Sequence, residues 1–369
     1  MIIEKVKIKN YKSIRDLDLS FGQINIMIGG NGVGKSNLIS FFKLLNQISN
    51  KNLLSTTIKN GGADNLLYFG RKLSSSIDAT IAFRQDATLL SYYKFSLEPT
   101  TEDNFYFTRE AVGFRNNAPE KVHWKSLGQG GHEGGHIESL LNSQYIKDSI
   151  VHWVSQDLQK FKVYHFHDTS ESSKVKQTGD LNDNQFLRED ASNLAAFLYL
   201  LREKHFTIYR QIEHTISRIA PFFQGFDLKP SALNPEKIRL EWKEKGSDLY
   251  FNAHSLSDGT LRMMCLATLL LQPAPPSTII IDEPELGLHP AAIRLLASLI
   301  KMAAERTQVI ISTQSVTLIN QFTPQDIIVV DRKDGQSVFR HIDEDELTLW
   351  QEEYALGEIW EKNLIGGRP

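Results

Sequence analysis

Apolar and polar positions along the chain follow two regimes. From residue 1 to about 50, and again from about 255 to 335, short apolar runs alternate with segments of helical spacing. EKVKIKNYK and DLDLSF alternate apolar and charged residues and predict the two strands of a hairpin. QINIMIGG predicts a buried strand that runs into glycines, and SNLISFFKLLNQI a helix behind it. In the second stretch SLSDGTLRMMCLATLLL opens a helix, STIIIDEPE is a buried strand, PAAIRLLASLIKMAAER a helix and TQVIISTQS another buried strand. QSVTLINQF predicts a short helix, and DIIVVDRKDG a last strand ending in a turn. Buried strands that alternate with helices imply a parallel sheet covered on both faces.

The middle of the chain, 51–250, is patterned differently. Residues 77–125 alternate with period two (DATIAFR, LLSYYKFSLE, NFYFTRE, KVHWKS), which predicts antiparallel strands. GQGGHEGGH at 128–136 reads as a mobile loop rich in glycine and histidine. Helical spacing runs from about 183 to 220 and stops at Pro221; it is too short for a long coiled-coil arm, and no heptad is sustained. The chain therefore divides into two halves of one α/β domain, 1–50 and 251–369, separated by an insertion, with no internal repeat.

Composition narrows the classes. The chain has 369 residues, 41% hydrophobic and 23% charged, which is ordinary for a globular protein with a sizeable core. A net charge of −3 gives no global electrostatic case for nucleic acid or anionic membrane. Its one cysteine, Cys265, excludes an intramolecular disulfide and a cysteine-based zinc site. The N-terminus does not read as a signal peptide, and no apolar run reaches the ~18 residues of a membrane span. The expectation is a soluble, cytoplasmic protein with no membrane partner.

Three stretches carry chemistry. Gly29-Gly30-Asn31-Gly32-Val33-Gly34-Lys35-Ser36 fits G-x-x-x-x-G-K-[ST] between a predicted strand and a predicted helix, and Asn37 follows in the first turn. Glycines let backbone N–H groups wrap phosphates, and the helix directs its positive end at them. Lys35 reaches the β- and γ-phosphates of ATP, and the Ser36 hydroxyl ligates Mg²⁺. Thr278–Asp282 is an apolar strand that ends in Asp282 and Glu283, an acidic pair costly to bury without a cation or other partner. Asp282 is placed for Mg²⁺ and Glu283 for polarising an attacking water. Ser255-Leu256-Ser257-Asp258-Gly259-Thr260 opens a helix and makes either a second anion-binding N-terminus or a plain N-cap.

GGNGVGKSN, SLSDGT and TIIIDEPELGLHP together resemble the ATPases of the ABC/SMC/RecF/OLD group, small stand-alone predicted ATPases included. EYALGEIWEKNLIGGRP, VYHFHDTS and ASNLAAFLYLL extend the likeness over nearly the whole chain. The resemblance implies an α/β P-loop head with a mixed sheet, interrupted by an antiparallel-β and helical insertion. It implies a homodimer closed over two ATP molecules, with Ser257 and Gly259 acting on ATP held by the other copy. His289 stands where transporter-type members carry an aspartate; it senses the dimer partner or caps the helix opened by Pro290. Gln314 stands where a switch histidine is expected; it can donate to a γ-oxygen or hold the water, but carries no charge.

The run QVIISTQS ends in hydroxyls and an amide rather than in the usual glycine, proline or asparagine turn. At the carboxyl edge of the sheet, where α/β folds bind ligands, such a tip has a use. Other signals are weaker. His165, His167 and Asp168 share too few ligands for a metal site, and His132 and His136 sit in the glycine-rich loop. Lys5, Lys7 and Lys9 form one strand face, solvated or facing nucleic acid; Lys12 and Arg15 are placed near the adenosine end of ATP by resemblance; Gln85 or a neighbour is a candidate for the family's Mg²⁺-linked glutamine. The function expected is an ATP-hydrolysing switch that controls a separate effector, a nuclease or toxin, in phage defence. Its alternatives are a slow ATP-gated binding module and a DNA-transaction ATPase.

Overall fold

The computed structural model describes residues 1–86, 88–116, 121–128, 135–142, 149–342 and 354–367. The chain forms two compact units: Met1–Val163 with Pro276–Ile280 and Thr323–Pro369, and Tyr164–Pro275 with Ile281–Phe322.

In the first unit, β1 (Ile2–Tyr11) and β2 (Ile14–Ser20) form the expected antiparallel hairpin, and β3 (Ile24–Ile28) leads into the glycine loop. Helix α1 (Lys35–Ser49) buries Leu38, Phe41, Phe42, Leu45 and Ile48, one stripe at helical spacing. Phe41 packs edge-on against Tyr11 at 5.4 Å and Phe42 against Phe161 at 5.9 Å, so aromatic rings fix the helix to its surroundings. The helix stops where Lys51 turns to φ 57. Helix α2 (Leu53–Lys59) follows.

β4 (Ile77–Arg84), β5 (Leu90–Pro99), β6 (Phe105–Arg115) and β7 (His123–Ser126) extend the hairpin into a six-stranded antiparallel sheet, ordered β2-β1-β4-β5-β6-β7. The period-two alternation explains it: Ile81, Phe83, Tyr93, Phe95, Phe107 and Val112 are buried on one face. Within that face lies a fully buried carboxylate, Glu110. It accepts from Tyr93 Oη (2.6 Å), Ser139 Oγ (2.5 Å) and the Leu140 N–H (3.0 Å), and pairs with His136 Nε2 (2.8 Å). His136 is thus a partner of Glu110, stacked on Phe107, and not a member of an open histidine loop. His132 lies outside the described residues. Glu138, two residues on, accepts the first N–H groups of α2 from Leu53 and Leu54, and Asn142 donates to the Ser49 carbonyl at the end of α1. Helix α3 (Ser149–Lys160) and β8 (Phe161–Tyr164) complete this stretch.

In the second unit a two-residue strand β9 (Gly179–Asp180) is followed by helices α4 (Leu194–Lys204) and α5 (Phe206–Ile219). The segment from 183 to 193 is a loop rather than helix. Asn193 holds it by donating to the Asp183 and Phe186 carbonyls and accepting the Arg188 N–H, and Ala191 sits at φ 55. β10 (Phe223–Phe226), β11 (Lys237–Ile238), β12 (Glu241–Glu244) and β13 (Tyr250–Asn252) give a small sheet ordered β10-β12-β13 and a β9–β11 pair. Helix α6 (Asp258–Leu271) is buried over most of its length, and burial pushes the Cys265 thiol up to about 12, as expected for a core residue. β14 (Thr278–Asp282) begins in the first unit and ends in the second; α7 (Pro290–Ala304), β15 (Gln308–Thr313) and α8 (Val316–Ile319) follow it.

The chain then returns to the first unit. β16 (Ile327–Lys333) lies parallel to β3, with Ile327 opposite Ile26. The pattern read from the sequence ends with this strand; the structure adds β17 (Gln336–His341), antiparallel to β16 across the Asp334-Gly335 turn. The sheet is therefore mixed, as the resemblance implies, where hydrophobic runs alone suggested parallel strands. The turn residue Asp334 has φ 50, a geometry open to aspartate. Helix α9 (Leu356–Glu361) closes the fold, its Trp360 fully buried.

Candidate functional site

The glycine loop is built from backbone. Gly34 is the N-cap of α1 at φ 117 and takes the N–H groups of Asn37 and Leu38 on its carbonyl. A Cβ there would lie 1.9 Å from Ser337 Oγ and 2.8 Å from Ser13 Oγ, so both conformation and space demand glycine. Those two hydroxyls are 2.6 Å apart and brace the loop from behind: Ser337 Oγ donates to the Val33 carbonyl and Asn37 Nδ2 donates to Ser13 Oγ. Arg332 adds a hydrogen bond to the Gly32 carbonyl. The buried Lys35 ammonium donates to the carbonyls of Gly29 and Gly30. Asn31 and Ser36 are exposed on the loop and the first helical turn. Lys12, over the Tyr11 ring, sits in the same β1–β2 turn as Ser13, with its pKa lowered by burial and then by Lys43; Arg15 is exposed at the start of β2. Ser13, Ser337 and Arg332 were not singled out from the sequence, because nothing marks a serine 304 positions away as a brace.

The acidic strand end is built from side chains, and all of it lies in the second unit. Three acids, Asp282, Glu283 and Glu285, meet the tip of β15 one to one. Ser312 Oγ donates to Asp282; Gln314 Nε2 donates to Glu283 Oε1 (2.5 Å); Thr313 Oγ1 donates to Glu285 Oε1 (2.5 Å). Backbone bonds fix the register: Glu283 N–H to the Ser312 carbonyl at 2.9 Å and Gln314 N–H to Glu285 Oε1 at 3.1 Å. Ser315 then caps α8. Glu283 holds φ 41, uncommon for a side chain of this size and a site of backbone strain. Burial, reinforced by the Glu283 charge, keeps the Glu285 carboxyl above the usual carboxylate range. The hydroxyls and the amide that end QVIIS are therefore the donors for DEPE.

The signature stretch caps its own helix: Ser257 Oγ accepts the Thr260 N–H and lies 2.9 Å from Thr260 Oγ1. Gly259 is required by close approach, since a Cβ would come 2.6 Å from the Gly287 carbonyl. The start of α6 thus lies in close packing against the loop after the acids. His289 caps α7, its Nδ1 accepting the Ala291 N–H at 3.3 Å. Arg262, whose pKa burial lowers, donates from α6 to the carbonyls of Phe166 and His167, and His167 Nε2–H donates to the Asp282 carbonyl at 2.8 Å. This arginine inside an apolar helix was a signal the sequence offered and pattern reading passed over. His165 packs against the His167 ring, and Asp168 accepts from Ser170. Among the described residues no group of three or more His, Cys, Asp or Glu side chains is placed to hold a metal. Gln85 is held by Ser91 and Asp157.

The donors fit the ligand class that the motifs name. Ser36 and Asp282 each offer a hard oxygen of the kind Mg²⁺ takes, and the glycine loop presents main chain where a Cβ would intrude. Among the described residues no helix is long and apolar enough to cross a membrane.

Known proteins place the chain. Two solved Smc head domains match its fold. One is bound to the C-winged helix domain of ScpA, at TM-score 0.62 and 15% identity over 95% of this chain and 100% of that one. The other, with an extended coiled coil and bound to a ScpA C-terminal domain derived from Pyrococcus furiosus, has TM-score 0.60 and 15% identity over 95% and 99%. The OLD nuclease of Thermus scotoductus is 23% identical over the whole of this chain and 68% of its own length. The family described as "AAA domain, putative AbiEii toxin, Type IV TA system" matches residues 24–320, which hold the glycine loop, the signature stretch and the acidic strand end. The chain belongs to that family of P-loop ATPases, with a fold of the SMC-head type.

Proposed function

We propose that the protein hydrolyses ATP with Mg²⁺ and uses the cycle as a switch. The observation that carries this is the Glu283–Gln314 pair: a strained glutamate at a strand end, its carboxylate already oriented by an amide. In this reading Glu283 takes a proton from the attacking water while Gln314 fixes the carboxylate's orientation and turns its amide toward the γ-phosphate. Lys35 and the N–H groups of residues 29–37, the side chains of Asn31, Val33 and Asn37 lying alongside, bind the phosphates. Ser36 and Asp282 hold Mg²⁺, which when bound offsets phosphate charge. Ser257 and Gly259 act on the ATP of a second copy in a head-to-head homodimer, so two ATP molecules glue the pair. The close approach of Gly259 to the Gly287 carbonyl supports this, because it sets the signature stretch directly beside the loop that follows the acids. His289, at the end of that loop, reports the partner. The output passes to a separate effector, a nuclease or toxin, in antiviral defence in the cytoplasm.

Phosphate release by wild type, Glu283→Gln and Lys35→Ala decides the mechanism. Hydrolysis requires wild type well above both variants, with Glu283→Gln still binding ATP. Release unchanged in Glu283→Gln removes Glu283 as the base. Binding without release in wild type leaves the slow ATP-gated module. Mass with and without ATP reads the dimer.

One observation favours the DNA-transaction alternative. Cross-strand pairing puts Lys5, Lys7, Lys9, Lys94, Arg109, Tyr92 and Trp124 on one face of the antiparallel sheet. Asp18 engages Lys5 and Lys7, which weakens the case. Salt-dependent binding of single-stranded DNA, lost in Trp124→Ala with Lys94→Ala, is its test.

A further inference from the structure

The third acid of DEPE has no part in the mechanism above, yet one of its oxygens takes two hydrogen bonds from the strand tip. We infer that Glu285 is a positioning residue for hydrolysis, holding Gln314 so that its amide meets Glu283. The inference rests on the hydrolysis reading.

The geometry is specific. One oxygen of Glu285 accepts both the Thr313 hydroxyl (2.5 Å) and the Gln314 backbone N–H (3.1 Å). Gln314 is thereby tied at its backbone by Glu285 and at its amide to Glu283. A glutamine has three side-chain torsions; anchoring both ends removes most of that freedom before substrate arrives. Thr313 Oγ1 in turn accepts the Ser315 N–H (3.0 Å), and Ser315 Oγ accepts the Leu318 N–H, so the clamp continues into the cap of α8. On the other side the Glu285 carbonyl takes the Leu288 N–H at 2.9 Å, which sets the course of the loop to His289. The other carboxyl oxygen is buried and accepts from none of the described residues. A carboxylate would leave that oxygen desolvated and unpaired, and would add a second charge beside Glu283. The neutral acid avoids the second charge, and Oε1 makes both hydrogen bonds in either form. Glutamate at 285 thus orients the pair without competing with Glu283 as the base.

Steady-state hydrolysis and an ATP-induced shift in melting temperature, measured on the full chain for wild type, Glu285→Ala, Glu285→Gln and Thr313→Val, test this. Loss of the clamp in Glu285→Ala lowers kcat on the order of 10- to 100-fold, the range that small misplacement costs. KM and the ATP-induced shift stay near wild type. Glu285→Gln, whose amide oxygen accepts the same two hydrogen bonds, recovers most of kcat, and Thr313→Val loses a smaller part. Unchanged kcat in Glu285→Ala overturns the inference, as does an equal loss in Glu285→Gln or a parallel loss of kcat and affinity. If Glu285→Ala does not fold, Glu285→Gln and Thr313→Val decide by the same criteria. Wild type that releases no more phosphate than Lys35→Ala overturns the hydrolysis reading and this inference with it. Glu283-dependent release that persists in Glu285→Ala overturns this inference alone.

Discussion

The glycine loop and the acidic strand end are both expected to meet the same substrate, yet they are constructed on opposite plans. The loop is a main-chain structure. Its functional groups are N–H groups and one lysine, and its braces are serines from β17 and the β1–β2 turn. The strand end is a side-chain structure, in which three acids are each met by one side-chain donor at the tip of the next strand. A main-chain site tolerates no change of backbone conformation but is indifferent to most side chains around it. A side-chain site tolerates conservative replacement, provided each hydrogen bond survives.

The largest effect that would test this contrast is Gly34→Val. The substitution meets both φ 117 and a collision with Ser337 and Ser13. ATP binding should vanish, and stability should fall by about 2–4 kcal/mol from strain and overpacking. Nucleotide titration and thermal unfolding read the two separately; retained binding would show that the loop is not a main-chain site. Next comes Glu283→Gln, for which phosphate release should drop on the order of 10²-fold or more while ATP affinity stays near wild type. Gln314→Ala should cost less, on the order of 10- to 100-fold in kcat and no less than Glu285→Ala, because it removes the orienting group and leaves the base. Equal losses of binding and turnover in that variant would make Gln314 a binding residue.

The smallest effect concerns pH. The folded state raises the Glu285 pKa through burial, with Glu283 adding to it; Arg262, a positive group, is electrostatically coupled to Glu285. A raised carboxyl pKa means stability present below the ordinary carboxyl range and lost as pH rises through the folded value. Glu285→Gln cannot lose a proton. Its melting temperature relative to wild type should therefore rise as pH climbs above the ordinary carboxyl range. A flat difference would show that Glu285 is ionised in the fold.

Much of this was legible in the residues. The hairpin β1–β2, the strand and helix around the glycine loop, and the run of short antiparallel strands follow from periodicities of two and 3.6. The loop itself was legible because a phosphate cradle needs glycine at fixed spacing, and few other structures do. What failed was pattern without partner. Helical spacing from 183 covered a loop that Asn193 holds through three hydrogen bonds. His136 read as part of an open histidine loop, but a carboxylate 26 positions earlier claims it. His289 left two readings open, and the helix cap is the one the structure displays. Glu285 lay in plain view as the fourth letter of DEPE, with nothing local to say what it touches.

The sequence by itself determined the identity of the groups at the site: a lysine and serine behind glycines, an acidic pair at the end of an apolar strand, a serine and glycine opening a helix. Those depend on spacing along one segment, where covalent geometry limits the choices. Only the tertiary structure decided which donor serves which acid. The three side chains after QVII are chemically interchangeable as donors, and their assignment to Asp282, Glu285 and Glu283 rests on how β15 registers against β14 through Glu283 N–H and the Ser312 carbonyl. Strand register is a long-range property, set by packing of both faces, and no local pattern encodes it.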